Sequence, residues 1–102
     1  MKQQSLLILN IPPSLEEDVV DLLLSSSEIP AFQSYPTRGH GQAGAMSIAE
    51  QVEGRRRRVQ FEIVLDTGVL ESLLQALKEA LPLADINYWV VPISASGRLL
   101  EK

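Results

Sequence analysis

Ser5 to Ile11 opens the chain with the β-rich run Leu6-Leu7-Ile8-Leu9, which Pro12-Pro13 ends, and predicts a first strand. Ser14 then stands where a helix N-cap belongs, with Glu17 three residues on to complete a capping box. Leu15, Val19, Leu22 and Leu23 follow at helical spacing until Ser25-Ser26-Ser27 weakens the helix end. Beyond Pro30, Ala31 to Thr37 predicts a second strand anchored by Phe32 and Tyr35. Val59, Phe61, Ile63 and Leu65 alternate with Gln60 and Glu62, which marks a third strand. Thr67 is the expected cap of a second helix, whose stripe is Leu70, Leu73, Leu74, Leu77 and Leu81, and Pro82 stops it. Ile86 to Val91 is the fourth strand and Pro92 to Lys102 a C-terminal tail.

This order, β-α-β-β-α-β, predicts an α+β ferredoxin-like domain spanning residues 1–102, an antiparallel four-stranded sheet with two helices on one face. Leu7, Leu9, Leu22, Phe61, Ile63, Leu73, Leu74 and Leu77 are its expected core. The other face of such a sheet is ordinarily polar. Here the first strand is apolar on both parities, and so is the fourth, with Ile86, Tyr88 and Val90 against Trp89 and Val91. A chain of 102 residues has no third layer to cover that face, so self-association is expected.

Between Arg38 and Gly54 the pattern breaks into glycines (Gly39, Gly41, Gly44, Gly54) with scattered apolar residues. Burial there offsets little of the roughly 1–2 kcal/mol per residue that ordering costs, so residues 42–53 are expected to be mobile when unbound. The spacing of Gly39, Gly41 and Gly44 copies a dinucleotide fingerprint in letters only, because a hairpin loop lacks the strand-to-helix context. Backbone amides of such a loop can still cradle an anion.

Composition narrows the function classes. The chain has no cysteine, which removes disulfides and thiolate metal sites. A net charge of −4 disfavours nucleic acid as a partner. No stretch is long or apolar enough to be embedded in a membrane, and the cytoplasm is the default location. Against this acidic background stands the run Arg55 to Arg58, which reads either as a solvated loop base or as a clamp for phosphate, carboxylate or an acidic partner. His40, the one histidine, lacks the ligands of a transition-metal site within one chain, although Glu50 or Glu53 of the same loop could join it. No motif frames a nucleophile, so catalysis has no positive case.

The run from Gly54 through Arg55-Arg-Arg-Arg-Val-Gln-Phe-Glu-Ile-Val-Leu65 resembles the third strand of PII signalling proteins, where a mobile T-loop returns into a basic-then-β segment. Arg38 to Gly44 is similar to the glycine-rich T-loop base, and Pro92 to Arg98 to the PII C-terminal segment. Ile48-Ala-Glu-Gln-Val52, Tyr88-Trp-Val90 and Ser96-Gly-Arg-Leu99 resemble short, uncharacterised proteobacterial PII-like proteins. The resemblance implies a non-catalytic homotrimeric regulator that binds effectors between subunits and docks on a partner protein, such as a membrane transporter, through residues 38–54. It puts Gly41 at the T-loop glycine that approaches phosphates, Asp85 at the acid of the phosphate loop and Arg98 at a C-terminal basic position; Gly39, Gln42, Arg55, Arg56 and Arg58 complete the candidate effector site.

No cofactor is certain, and a nucleotide or another anion is the candidate ligand. The phosphate loop itself departs from the PII pattern: Ala84 and Ile86 replace glycines, and Asn87 replaces a lysine. Losing that lysine removes a charge-assisted contact of roughly 1.5–3 kcal/mol, so weaker ATP binding is expected unless arginines compensate. Association of short PII-like proteins with heavy-metal efflux keeps a metal-responsive accessory role, with His40 as ligand, as the alternative. A ferredoxin-like enzyme is a further one.

Overall fold

Alternation decides the first strand, β1 (Gln4–Ile11): Ser5, Leu7, Leu9 and Ile11 turn to one face and are buried, while Gln4, Leu6, Ile8 and Asn10 turn to the other. The computed structural model describes residues 3–40 and 55–100, with the side chain of Arg55 outside that set. After β1 come α1 (Glu16–Leu24), β2 (Phe32–His40), β3 (Arg55–Asp66), α2 (Leu70–Ala80) and β4 (Asn87–Ile93).

All pairings are antiparallel and the sheet order is β2-β3-β1-β4. Each β-α-β crossover therefore leaves a gap one strand wide, filled by a strand of the other half. This is the expected ferredoxin-like arrangement.

The buried layer joins Leu7, Leu9 and Ile11 of β1 to Val59, Phe61, Ile63 and Leu65 of β3, beneath Val19 and Leu23 of α1 and Leu73 and Leu77 of α2. Phe61 is wholly enclosed, with the Phe32 ring tilted against it at 6.0 Å. Leu22 and Leu74 pack at the margin of this core rather than inside it.

Both helices begin differently from the sequence expectation. The chain enters α1 through a 3-10 turn, Pro13–Leu15, and no side chain caps the helix. Pro13 lacks an N–H and is preset for a first turn, so the proline starts the helix without the Ser14–Glu17 box. Thr67 likewise opens a 3-10 turn. Its hydroxyl shares a 2.7 Å hydrogen bond with the Ser5 hydroxyl, and its N–H donates to the Gln3 carbonyl, so it ties the turn to the sheet instead of capping α2.

The strands run longer than apolar alternation predicts. Arg38, Gly39 and His40, assigned to a loop by their composition, pair with Arg57, Arg56 and Arg55. Pro92 and Ile93, assigned to the tail, extend β4 against Ser5 and Gln4. Ladder hydrogen bonds use the backbone, so they continue past the last buried side chain. Because β1 ends at the pair Ile11–Val59, the hairpin of β2 and β3 projects about 13 Å beyond it. The expected mobile tip, residues 42–53, lies outside the described residues, as do Gly41 and Gln42.

Candidate functional site: an arginine–aspartate cluster on the helix-free face

Parity on β3 puts Arg56, Arg58, Gln60, Glu62 and Val64 on the face away from the helices, because Val59, Phe61, Ile63 and Leu65 occupy the other. Registration then sets Thr37 and Gly39 beside Arg58 and Arg56 on the projecting hairpin. At this end of the sheet the connection from α2 to β4 folds over, and Asp85 meets both arginines. Arg56 Nη2 donates to Asp85 Oδ2 at 2.5 Å and Arg58 Nη1 to the same oxygen at 3.1 Å.

The two guanidiniums differ in kind. Arg58 is 4% exposed, and beyond Asp85 Oδ2 it donates to Asn10 Oδ1 (2.6 Å), the Asn10 carbonyl (2.7 Å) and the Asp85 carbonyl (2.8 Å). It thereby fastens the end of β1 to the α2–β4 connection. The Arg56 side chain is more open and the Asp85 side chain is half exposed.

Of the residues that the sequence singled out, Arg56, Arg58, Asp85 and Gly39 come together. A Cβ on Gly39 would stand at ordinary contact distance from the Arg56 and Arg58 side chains, so that glycine gives the cluster room without being required by a steric conflict. The segment leading to Arg98 is held at the other end of the sheet. Ser96, two residues before it, donates to Gln4 Oε1 at the start of β1, the opposite end of the sheet from Asp85. His40 sits exposed on β2 across from Arg55. Among the described residues, no three histidine, aspartate or glutamate side chains gather as a metal site.

Sequence patterning does not reveal a line of polar side chains that leads away from the cluster across the same face. Arg58 Nε donates to Asn10 Oδ1, Asn10 Nδ2 to Gln60 Oε1 (3.2 Å), Gln60 Nε2 to the Tyr35 hydroxyl (3.1 Å), and Tyr35 to Glu62 Oε2 (2.7 Å). Gln33 Nε2 donates to the other Glu62 oxygen at 2.9 Å. Every link donates in one direction, from guanidinium to carboxylate, an arrangement in which each bond polarises the next. The Tyr35 hydroxyl, then Gln33, hold the Glu62 carboxyl below its usual range, while the bond to Glu62 raises the Tyr35 phenol. The available signal was register: Asn10, Gln60 and Tyr35 lie side by side once the strands are paired.

Beside this polar line the same face is apolar. Leu6 and Ile8 of β1 are half-buried, and Val64, Trp89 and Val91 are exposed. Edge strand β4 also exposes Tyr88 and Val90 on its other parity. Cavities apart from the arginines include one of about 430 Å³ between α2 and β4, lined by Leu74, Leu77, Leu81, Ile86 and Tyr88, and one of about 510 Å³ near Phe32, Glu62 and Asp66. No helix among the described residues is long and apolar enough to cross a membrane.

A crystal structure of a DUF3240 family protein from Shewanella baltica superposes with a TM-score of 0.81 at 25% identity, covering 98% of this chain and 100% of that one. A PII-like signalling protein from Thermus thermophilus gives 0.65 at 19% identity, over 90% of this chain and 88% of that one. PII of Arabidopsis thaliana, bound to citrate, gives 0.70 at 20% identity, over 91% and 79%. The last two likenesses show the shared fold. No curated protein sequence matches. Residues 1–100 match the family described as protein of unknown function DUF3240, and the chain therefore belongs to that family.

Proposed function

We propose that this protein is a non-catalytic regulator of the PII-like kind: a homotrimer that binds a small anion in clefts between subunits and docks on a partner protein through the hairpin beginning at Arg38. The observation that carries the reading is the placement of Arg56 and Arg58 on one face at the root of that hairpin, with Asp85 beside them. Guanidiniums in this setting take planar carboxylates and phosphates through paired N–H donors. An anion bound there would restrain the root of the segment proposed to reach the partner.

Assembly completes the site. Ser96, two residues before Arg98, is tied to Gln4 at the end of the sheet opposite Asp85, so in this reading Arg98 joins the cleft from a neighbouring copy. The apolar stripe of Leu6, Ile8, Val64, Trp89 and Val91 gives the copies a surface to bury.

A thermal-shift screen with ATP, ADP, AMP, cyclic nucleotides and citrate tests the reading. A specific anion should raise the melting temperature with the logarithm of its concentration, and Arg56→Gln should remove most of that rise. Flat responses to every anion would overturn the effector reading and leave docking alone. Stabilisation by Zn²⁺ or Cu²⁺ that disappears in His40→Ala would instead support metal sensing.

A further inference from the structure

The Asp85 carboxylate already occupies the position that an anion would take between Arg56 and Arg58. It accepts from both guanidiniums, yet its side chain is half exposed, on a connection whose Leu83 is fully exposed. Arg58 does not depend on that carboxylate for its position, since Asn10 Oδ1, the Asn10 carbonyl and the Asp85 carbonyl also hold it. Asp85 Oδ2 can therefore leave without loss of the buried arginine's scaffold. A ligand oxygen arriving in its place would find Arg56 and one edge of Arg58 presented together.

We infer that Asp85 is a resident competitor for the anion site: an effector binds by exchanging with the Asp85 carboxylate at Arg56 and Arg58, and the exchange loosens the connection between α2 and β4, which keeps only the Asp85 carbonyl as its tie to Arg58. The inference rests on the anion reading above and adds its regulation. Displacement reaches beyond the site because Leu81, Pro82, Ala84 and Ile86, on either side of Asp85, line the apolar groove between α2 and β4. Displacement of the Asp85 carboxylate loosens one wall of that groove, so anion occupancy and groove shape change together.

Two measurements with inorganic pyrophosphate and citrate as probes test this. In calorimetric titrations, Asp85→Asn should bind at least about tenfold more tightly than the wild type, because a neutral amide competes poorly for charge-assisted donors. Adding Arg56→Gln to Asp85→Asn should abolish the gain. In the wild type, saturating probe should accelerate amide hydrogen exchange at residues 83–86, a readout that does not require the variant to fold.

Equal or weaker binding to a folded Asp85→Asn, with the wild type binding normally, would make Asp85 part of the ligand cradle or a plain structural tie and would overturn the inference alone. Slower or unchanged exchange at residues 83–86 would do the same. If neither wild type nor Asp85→Asn binds either probe, the anion reading falls and takes this inference with it.

Discussion

At Arg58, alternation along β3 points a guanidinium to the helix-free face, and the structure encloses it to 4% exposure among Asn10 and Asp85. Arg56, two residues away on the same face, shares Asp85 but keeps more contact with water. These neighbours should respond differently to truncation. Arg58→Ala leaves part-buried acceptors on Asn10 and Asp85 without their donor and should cost about 1–3 kcal/mol in urea unfolding. Arg56→Ala should cost less than about 1 kcal/mol, since its ion pair is partly solvated. Equal losses would contradict the division into scaffold and ligand-facing arginines.

Sequence alone left the arginine run between a solvated base and an anion clamp, because charge runs carry no register. Paired strands separate its members: even positions join the cluster, and Arg57 takes the other parity.

The Tyr35–Glu62 bond gives a second residue-scale prediction. A carboxyl held below its usual range binds fewer protons folded than unfolded, so its contribution is present above the ordinary carboxylate pKa and fades as pH falls through the folded value. The raised Tyr35 phenol works oppositely: its contribution is present at neutral pH and is lost as pH rises above about 10. Tyr35→Phe should flatten both limbs of the stability–pH curve relative to wild type. An unchanged acid limb would mean the bond does not persist in solution.

Element identity was legible because apolar periodicity and burial have one cause, and the expected helices and strands all form. Element ends were less so. Pro13 overrode the Ser14 cap, and Thr67 turned its hydroxyl to Ser5, because local geometry and a nearby sheet offered other partners than the helix amides. Gly39 read as a loop marker, yet a strand accepts glycine wherever the opposite backbone keeps pairing. The polar relay was illegible for a similar reason: Gln60 and Glu62 are ordinary solvent-facing residues until β1 and β2 flank them with Asn10 and Tyr35.

Hydrogen exchange resolves the strand ends. Amides of residues 59–63 should be the most protected, because β3 there is paired on both sides and covered by helices. Those at 37–40 and 56–58 should show intermediate protection, as a two-stranded extension does. Exchange at the unstructured rate in 37–40 would return that segment to a loop.

Across the whole molecule, one face of the sheet is closed by α1 and α2, and the other presents Leu6, Ile8, Val64, Trp89 and Val91 beside a finished hydrogen-bond line. Edge strand β4 is apolar on both parities, and an uncovered edge of that kind invites further pairing. Ordered self-association would cover this surface and bring Arg98 of one copy toward the arginine cluster of another. The cleft proposed for the anion would form only in such an assembly.

Sedimentation equilibrium across micromolar concentrations is the most direct test. The wild type should sediment at three times the 11.3 kDa chain mass. Ile8→Glu, which places a charge in the centre of the apolar stripe while leaving the helix-side core untouched, should shift it toward the single-chain mass and retain its helical circular dichroism. A wild type that remains at the single-chain mass throughout would contradict the account.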